Sequence, residues 1–140
     1  MADLKDFLST IPIFSFLNRE ELHQIQEHFQ ELTFQKGETV CKTGDPGDVF
    51  YVVLSGELEV WGGEDGEPRR TGTLTARDFF GEMALLQGGK RTATVIAGRR
   101  SRALALEKAS FDRFFLKNPR ALEYFARVLC KRLATLGALL

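Results

Sequence analysis

Two ionisable side chains, Glu82 and Arg91, carry the chemistry that this 140-residue chain advertises. They lie in one stretch, Phe80-Gly81-Glu82-Met83-Ala84-Leu85-Leu86-Gln87-Gly88-Gly89-Lys90-Arg91-Thr92-Ala93-Thr94-Val95. Arginine is a permanent cation whose planar fork matches two phosphate oxygens. Gly81 lets the backbone turn with positive φ or come close to a ligand. Glu82 to Leu86 are good formers of one short helical turn, whose first amides lack intrahelical partners and suit a phosphate. A carboxylate in an anion site costs affinity unless the ligand also brings hydroxyl donors. A sugar phosphate with a free 2′-hydroxyl brings both. Glu82 then accepts from the ribose, while the amides and Arg91 take the phosphate.

Other chemistries find little support. No Ser/His/Asp or Cys/His arrangement stands out, so catalysis is not expected. His23 and His28 sit five apart on a helical stretch and face different ways, which argues against a shared metal. Gly88-Gly89-Lys90-Arg91-Thr92 has the look of a P-loop ending, but Ala84 stands where the first glycine belongs and Arg91 where Ser or Thr belongs. Nineteen basic and nineteen acidic residues cancel, so no global field draws nucleic acid or an anionic membrane. Hydrophobic residues at 44% and charged residues at 27% describe an ordinary globular chain, long enough to bury a core. Cys41 and Cys130 are too few for a disulfide framework and read as two buried thiols in a reducing cytoplasm. No run is long enough to span a membrane, and Met-Ala-Asp-Leu-Lys-Asp lacks a signal pattern, so the expected location is cytoplasmic.

The elements that must position Glu82 and Arg91 follow from periodicity. Residues 2–9 read as a short helix, broken by an apolar, extended Ile11-Pro12-Ile13-Phe14. Asn18 with Glu21 forms a capping-box start for a second helix, with Leu22, Ile25 and Phe29 as its apolar stripe. From Glu31 the period changes. Thr33-Phe34 and Thr39-Val40-Cys41 read as short strands around Lys36-Gly37-Glu38, and Gly44-Asp45-Pro46-Gly47-Asp48 is a turn cluster. Val49 to Leu54 is an unbroken apolar run, the pattern of a strand buried on both faces. Ser55-Gly56 turns it, and Glu57 to Trp61 alternates with Leu58 and Val60 inward. Residues 62–68 form a polar hairpin loop before a strand at Thr71 to Ala76. Thr92 to Ile96 is β-branched, a strand that would hold Arg91 rigidly. Arg102 to Glu107 is the next strand, and Lys90, Arg99, Arg100 and Arg102 read as solvated strand ends. Ser110 begins a short helix through Phe111, Phe114 and Phe115. Asn118-Pro119 caps a last helix to about Leu136, with Leu122, Phe125, Leu129, Leu133 and Leu136 as one stripe.

Phe80 to Leu86 followed by Arg91 to Val95 resembles the phosphate-binding cassette of the cyclic nucleotide-binding domain family, which includes catabolite activator proteins and regulatory subunits of cAMP-dependent kinase. Gly44-x-x-Gly47-Asp48-x-Phe50-Tyr51-x-Val53-x-x-Gly56 is a second segment similar to that family. The resemblance implies a mainly β fold with flanking helices: an eight-stranded, jelly-roll-like β-roll with N-terminal helices, a short cassette helix and C-terminal helices. It implies a single domain over 1–140, helical over 2–30, β-roll over 31–107 and helical again over 108–138. It gives Glu82 the ribose 2′-hydroxyl and Arg91 an exocyclic phosphate oxygen. Gly81, Met83 and Ala84 would line the sugar and phosphate with backbone groups, and Thr92 would add a hydroxyl. The last helix would swing over the ligand, with Arg132 and then Leu136 as candidates to touch or cap the base.

The function implied is a sensor of cAMP or cGMP, a regulatory ligand rather than a cofactor, with a slight preference expected for cAMP. The alternative is the same β-roll without ligand, used for protein contacts or dimerisation. A DNA-reading helix-turn-helix would have to follow the last helix, so direct nucleic-acid binding is not expected of this chain. The expected partner is a second copy through the C-terminal helix, or an effector domain outside this chain.

Overall fold

Short strands between glycine turns build the β part of the protein. The computed structural model describes residues 4–62, 68–81, 91 and 93–135, with side chains as far as 131. Among the described residues eight strands are formed: β1 (Gln30–Phe34), β2 (Thr39–Cys41), β3 (Val49–Ser55), β4 (Leu58–Gly62), β5 (Arg69–Leu74), β6 (Phe79–Phe80), β7 (Thr94–Ala97) and β8 (Ser101–Glu107). They make two four-stranded sheets of order β1-β8-β3-β6 and β2-β7-β4-β5. Every pairing is antiparallel. This is the eight-stranded, jelly-roll-like β-roll expected from the resemblance.

Cys41, Tyr51, Val53, Leu58, Leu74, Phe80, Val95 and Ala97 contribute to its interior from both sheets. The unbroken run of β3 has the predicted cause. Phe50, Val52 and Val53 are fully buried and Tyr51 nearly so; successive residues point to opposite faces, so both faces of β3 are covered, while its edges pair with β8 and β6. Leu58 is buried on β4 and Val60 packs against the same interior, as the alternation foretold.

Some expectations are corrected. Thr33-Phe34 and Thr39 to Cys41 are strands on either side of a turn, as read, with β1 beginning earlier at Gln30; β1 pairs with β8 and β2 with β7. The turn moves the chain between sheets. Gly37, at φ +89°, donates to Ala97 O, and Glu38 O accepts from Ala97 N. The strand read at Thr71 to Ala76 spans Arg69–Leu74, because Asp78 closes a turn by accepting from the Thr75 amide at 2.8 Å. Residues 63–67 of the polar loop lie outside the described residues.

The helical segments before Phe29 and after Lys108 form a compact unit separate from Phe29–Lys108. Helix α1 (Leu4–Ser9) leads into a 3₁₀ turn at Pro12–Phe16, where an extended link was expected. Proline occupies the first helical position, where its missing N–H costs nothing, so it starts a turn here. Helix α2 (Arg19–Ile25) has the predicted reciprocal cap: Asn18 Oδ1 accepts from Glu21 N at 2.8 Å, and Glu21 Oε1 accepts from Asn18 N at 3.0 Å. Phe29 lies beyond this helix and is half-buried. His23 and His28 are both exposed, and His28 Nδ1 lies 3.0 Å from Ser110 Oγ.

Helix α3 (Lys108–Phe111) begins two residues before Ser110 and widens into a π turn at Asp112–Leu116. Helix α4 (Pro119–Thr135) is capped by Asn118, whose Oδ1 accepts from the Arg120 and Ala121 amides. Its buried line is Ala121 and Phe125, not the predicted Leu122–Phe125–Leu129 stripe; Leu122 and Leu129 are half-buried. Small Ala121 lets the helix approach, and Phe125 meets Phe111 at 5.4 Å and Phe115 at 5.7 Å between ring centroids. Leu133 has no described side chain, and Leu136 lies outside the described residues. Cys41 is buried as expected, whereas Cys130 is exposed, on the solvent side of α4. Among the described residues no helix is long and apolar enough to cross a membrane.

Candidate functional site

Arg91 is the centre of the site. The residue is only 7% exposed, an unusual state for a cation, since its charge is costly to desolvate without compensation. The backbone holds it first. Arg91 N donates to Asp45 O at 2.8 Å, and Gly44 N donates to Arg91 O at 2.9 Å. That turn is itself closed, with Asp45 Oδ2 accepting from the Lys42 amide at 3.1 Å and Asp45 N donating to Lys42 O at 3.0 Å. Thr43 ties it to β7: its amide donates to Thr94 Oγ1 at 3.0 Å. The sequence suggested that a strand starting at Thr92 would fix Arg91. The strand starts only at Thr94, Ala93 is a bend, and the grip comes from the turn cluster.

The guanidinium is then aimed by β3. Nη2 donates to the Val49 carbonyl at 2.6 Å. The guanidinium carbon lies 5.6 Å from the centroid of the Tyr51 ring, within cation–π range. Tyr51 in turn stacks on its cross-strand partner Phe80, with centroids 4.7 Å and planes 12° apart. Among the described residues, one carbonyl and one ring face are the partners of this cation, and no carboxylate pairs with it. A guanidinium has five N–H donors, of which the Val49 carbonyl takes one.

Gly81 is the second element. Its φ is +100°, and a Cβ there would sit 2.6 Å from Val49 O and 2.7 Å from Arg91 Nη1. Only glycine allows the chain to pass this close to the arginine. Burial pushes the Cys41 thiol and the Tyr51 hydroxyl above their ordinary ranges, and the Arg91 charge pulls both part of the way back. Among the described residues no three His, Cys, Asp or Glu side chains gather to hold a metal.

Of the residues singled out in the sequence, Gly81 and Arg91 are brought together. Glu82, Met83, Ala84, Thr92 and Leu136 lie outside the described residues, as does the expected cassette helix, while Arg132 lies within α4 with no described side chain. Sequence reasoning missed Tyr51, the Val49 carbonyl and the Gly44-Asp45 grip. The one signal for Tyr51 was a polar-tipped aromatic in an otherwise apolar run. No local signal existed for the other two.

The sequence profile described as the cyclic nucleotide-binding domain matches residues 31–118. This chain belongs to that family. The domain is 37% identical over 107 residues to the cAMP-dependent protein kinase regulatory subunit of Mucor circinelloides f. lusitanicus, covering 76% of this chain and 25% of the relative. It thus spans about a quarter of the length of the curated relatives it matches (25% and 27% for two of them). Among solved structures it resembles the regulatory domain of Toxoplasma gondii PKA in co-crystals with cAMP, with a TM-score of 0.83 and 25% identity over 91% of this chain and 48% of that one. It also resembles the regulatory subunit of a cAMP-independent protein kinase A from Trypanosoma cruzi bound to guanosine, with a TM-score of 0.77 and 25% identity over 91% of this chain and 48% of that one. The domain is therefore a cyclic nucleotide-binding module related to kinase regulatory subunits.

Proposed function

We propose that the domain senses a cyclic nucleotide, cAMP in preference to cGMP, and passes the signal to a partner or an attached effector without catalysis. The observation that carries this reading is the buried Arg91, aimed by Val49 O and Tyr51 beside the close-passing backbone of Gly81. A cyclic phosphate offers one negative charge to meet that cation and a free 2′-hydroxyl for Glu82. Arg91 takes an exocyclic phosphate oxygen, Gly81, Met83 and Ala84 line the ligand with backbone groups, and Thr92 adds a hydroxyl. The last helix closes on the bound base, with Arg132 and then Leu136 as the candidates to touch or cap it. The closure draws its energy from contacts made only in the closed state. Its output is a second copy of the chain or an effector domain, and its place is the cytoplasm; the kinase regulatory subunits among its relatives support the effector reading.

Isothermal calorimetry with cAMP, cGMP and guanosine tests the proposal. Wild type binds cAMP most tightly, and Arg91→Ala loses about 2–5 kcal/mol of binding, roughly a hundredfold or more in Kd. An unchanged Kd in that variant removes the role of Arg91. Binding of guanosine alone transfers the site to an uncharged nucleoside. No heat with any of the three leaves the β-roll as a protein-contact or dimerisation module.

A further inference from the structure

The ring of Tyr51 occupies a position that phosphate chemistry by itself does not call for. Its face lies under the Arg91 guanidinium at 5.6 Å, and it also stacks on Phe80 at 4.7 Å. Tyr51 and Phe80 face each other across β3 and β6, and Phe80 immediately precedes Gly81. Tyr51 is 92% buried, so the ring meets the cation away from bulk water, where cation–π attraction is strongest. The Val49 carbonyl fixes one nitrogen of the fork but leaves rotation about that hydrogen bond. A flat ring beneath the fork removes that freedom. The backbone also passes close at Gly81, where a Cβ would lie 2.7 Å from Nη1, so ring and backbone both crowd the guanidinium.

We infer that Tyr51 is a positioning residue for Arg91: its ring face, and not its hydroxyl, holds the guanidinium in the plane that meets the ligand phosphate. The affinity consequence rests on the cyclic nucleotide reading above, whereas the geometric consequence holds in the ligand-free protein. Two variants separate ring from hydroxyl. Tyr51→Phe keeps the face and Tyr51→Leu removes it.

The first measurement is NMR of the arginine side-chain Nε–H resonances in the free protein, with Arg91 assigned by its disappearance in Arg91→Lys. The Tyr51 ring current displaces the Arg91 signal. That displacement persists in Tyr51→Phe and collapses in Tyr51→Leu, while the backbone amide pattern of β7 and β8 reports that both variants are folded. The second measurement is cAMP calorimetry on the same proteins. Tyr51→Leu weakens binding about tenfold, and Tyr51→Phe recovers most of that loss. In an Arg91→Ala background, Tyr51→Leu has almost no further effect, because the ring acts through the arginine. The inference is overturned by an Arg91 resonance that ignores Tyr51→Leu, or by equal losses in the Phe and Leu variants. Failure of wild type to bind cAMP rejects the cyclic nucleotide reading and leaves the resonance result to decide the positioning role.

Discussion

At the scale of single residues, the site depends on a cation that is costly to bury and a glycine that cannot be replaced. Gly81→Ala forces a side chain into positive φ and against both Val49 O and Arg91. Strain of that kind costs about 1–3 kcal/mol. Urea unfolding of the variant reads this as a lower midpoint, and calorimetry reads weaker cAMP binding, because Arg91 has to move aside. Cys41 supplies a pH signature. Its folded thiol is held above the ordinary range by burial, with Arg91 only partly opposing. The unfolded chain therefore loses this proton first. The stabilising contribution is complete below about pH 8.5, the unfolded thiol value, and is lost as pH rises through the raised folded value. Urea midpoints between pH 7 and 9.5 should fall in wild type and fall less steeply in Cys41→Ala. Equal slopes would show that the thiol is not desolvated.

At the scale of elements, Arg91 is governed by a turn that precedes it by 46 residues, since it pairs through Asp45 and Gly44. The segment read from the sequence as a turn cluster is also the clamp on the backbone of Arg91. Asp45 is exposed, so its replacement leaves the core intact and loosens only the turn. Asp45→Ala is expected to weaken cAMP binding by about threefold with a small change in melting temperature, in keeping with one solvent-accessible hydrogen bond. Unchanged affinity would show that the two backbone bonds hold without the side-chain closure. The caps at Asn18 and Asn118 did not need tertiary structure to be recognised. Their partners lie within three residues, so local sequence contains the whole interaction.

At the scale of the whole molecule, binding and stability are linked. A nucleotide present at a hundred times its Kd adds about 2.7 kcal/mol to the folded state. For a chain of this length, that is a rise of roughly 10 °C in the melting temperature. Differential scanning calorimetry checks this, and a flat melting temperature at millimolar cAMP contradicts the sensor reading. Closure of α4 has its own test. Amide hydrogen exchange over Pro119–Thr135 should slow when cAMP is added, and exchange that slows only within Phe29–Lys108 would confine the response to the β-roll. The two units make such a comparison direct, because each has its own buried core.

Seven of the eight strands, both asparagine caps and the Gly81/Arg91 pair were legible in the amino-acid order, whereas the two-residue β6 (Phe79–Phe80) was not read as a strand and the count of eight came from the family resemblance. Strand period, glycine placement and capping depend on neighbours a few residues away, which a sequence displays directly. Tertiary structure decided what long-range pairing controls. It sent the strands on either side of Gly37 into different sheets, and it exposed Cys130 by turning α4 onto Ala121 and Phe125. It also placed Val49 O and Tyr51 against Arg91 across 42 and 40 positions of chain. Those contacts arise because sheet register brings distant residues together, and register is set by the sum of many side-chain fits rather than by any one motif.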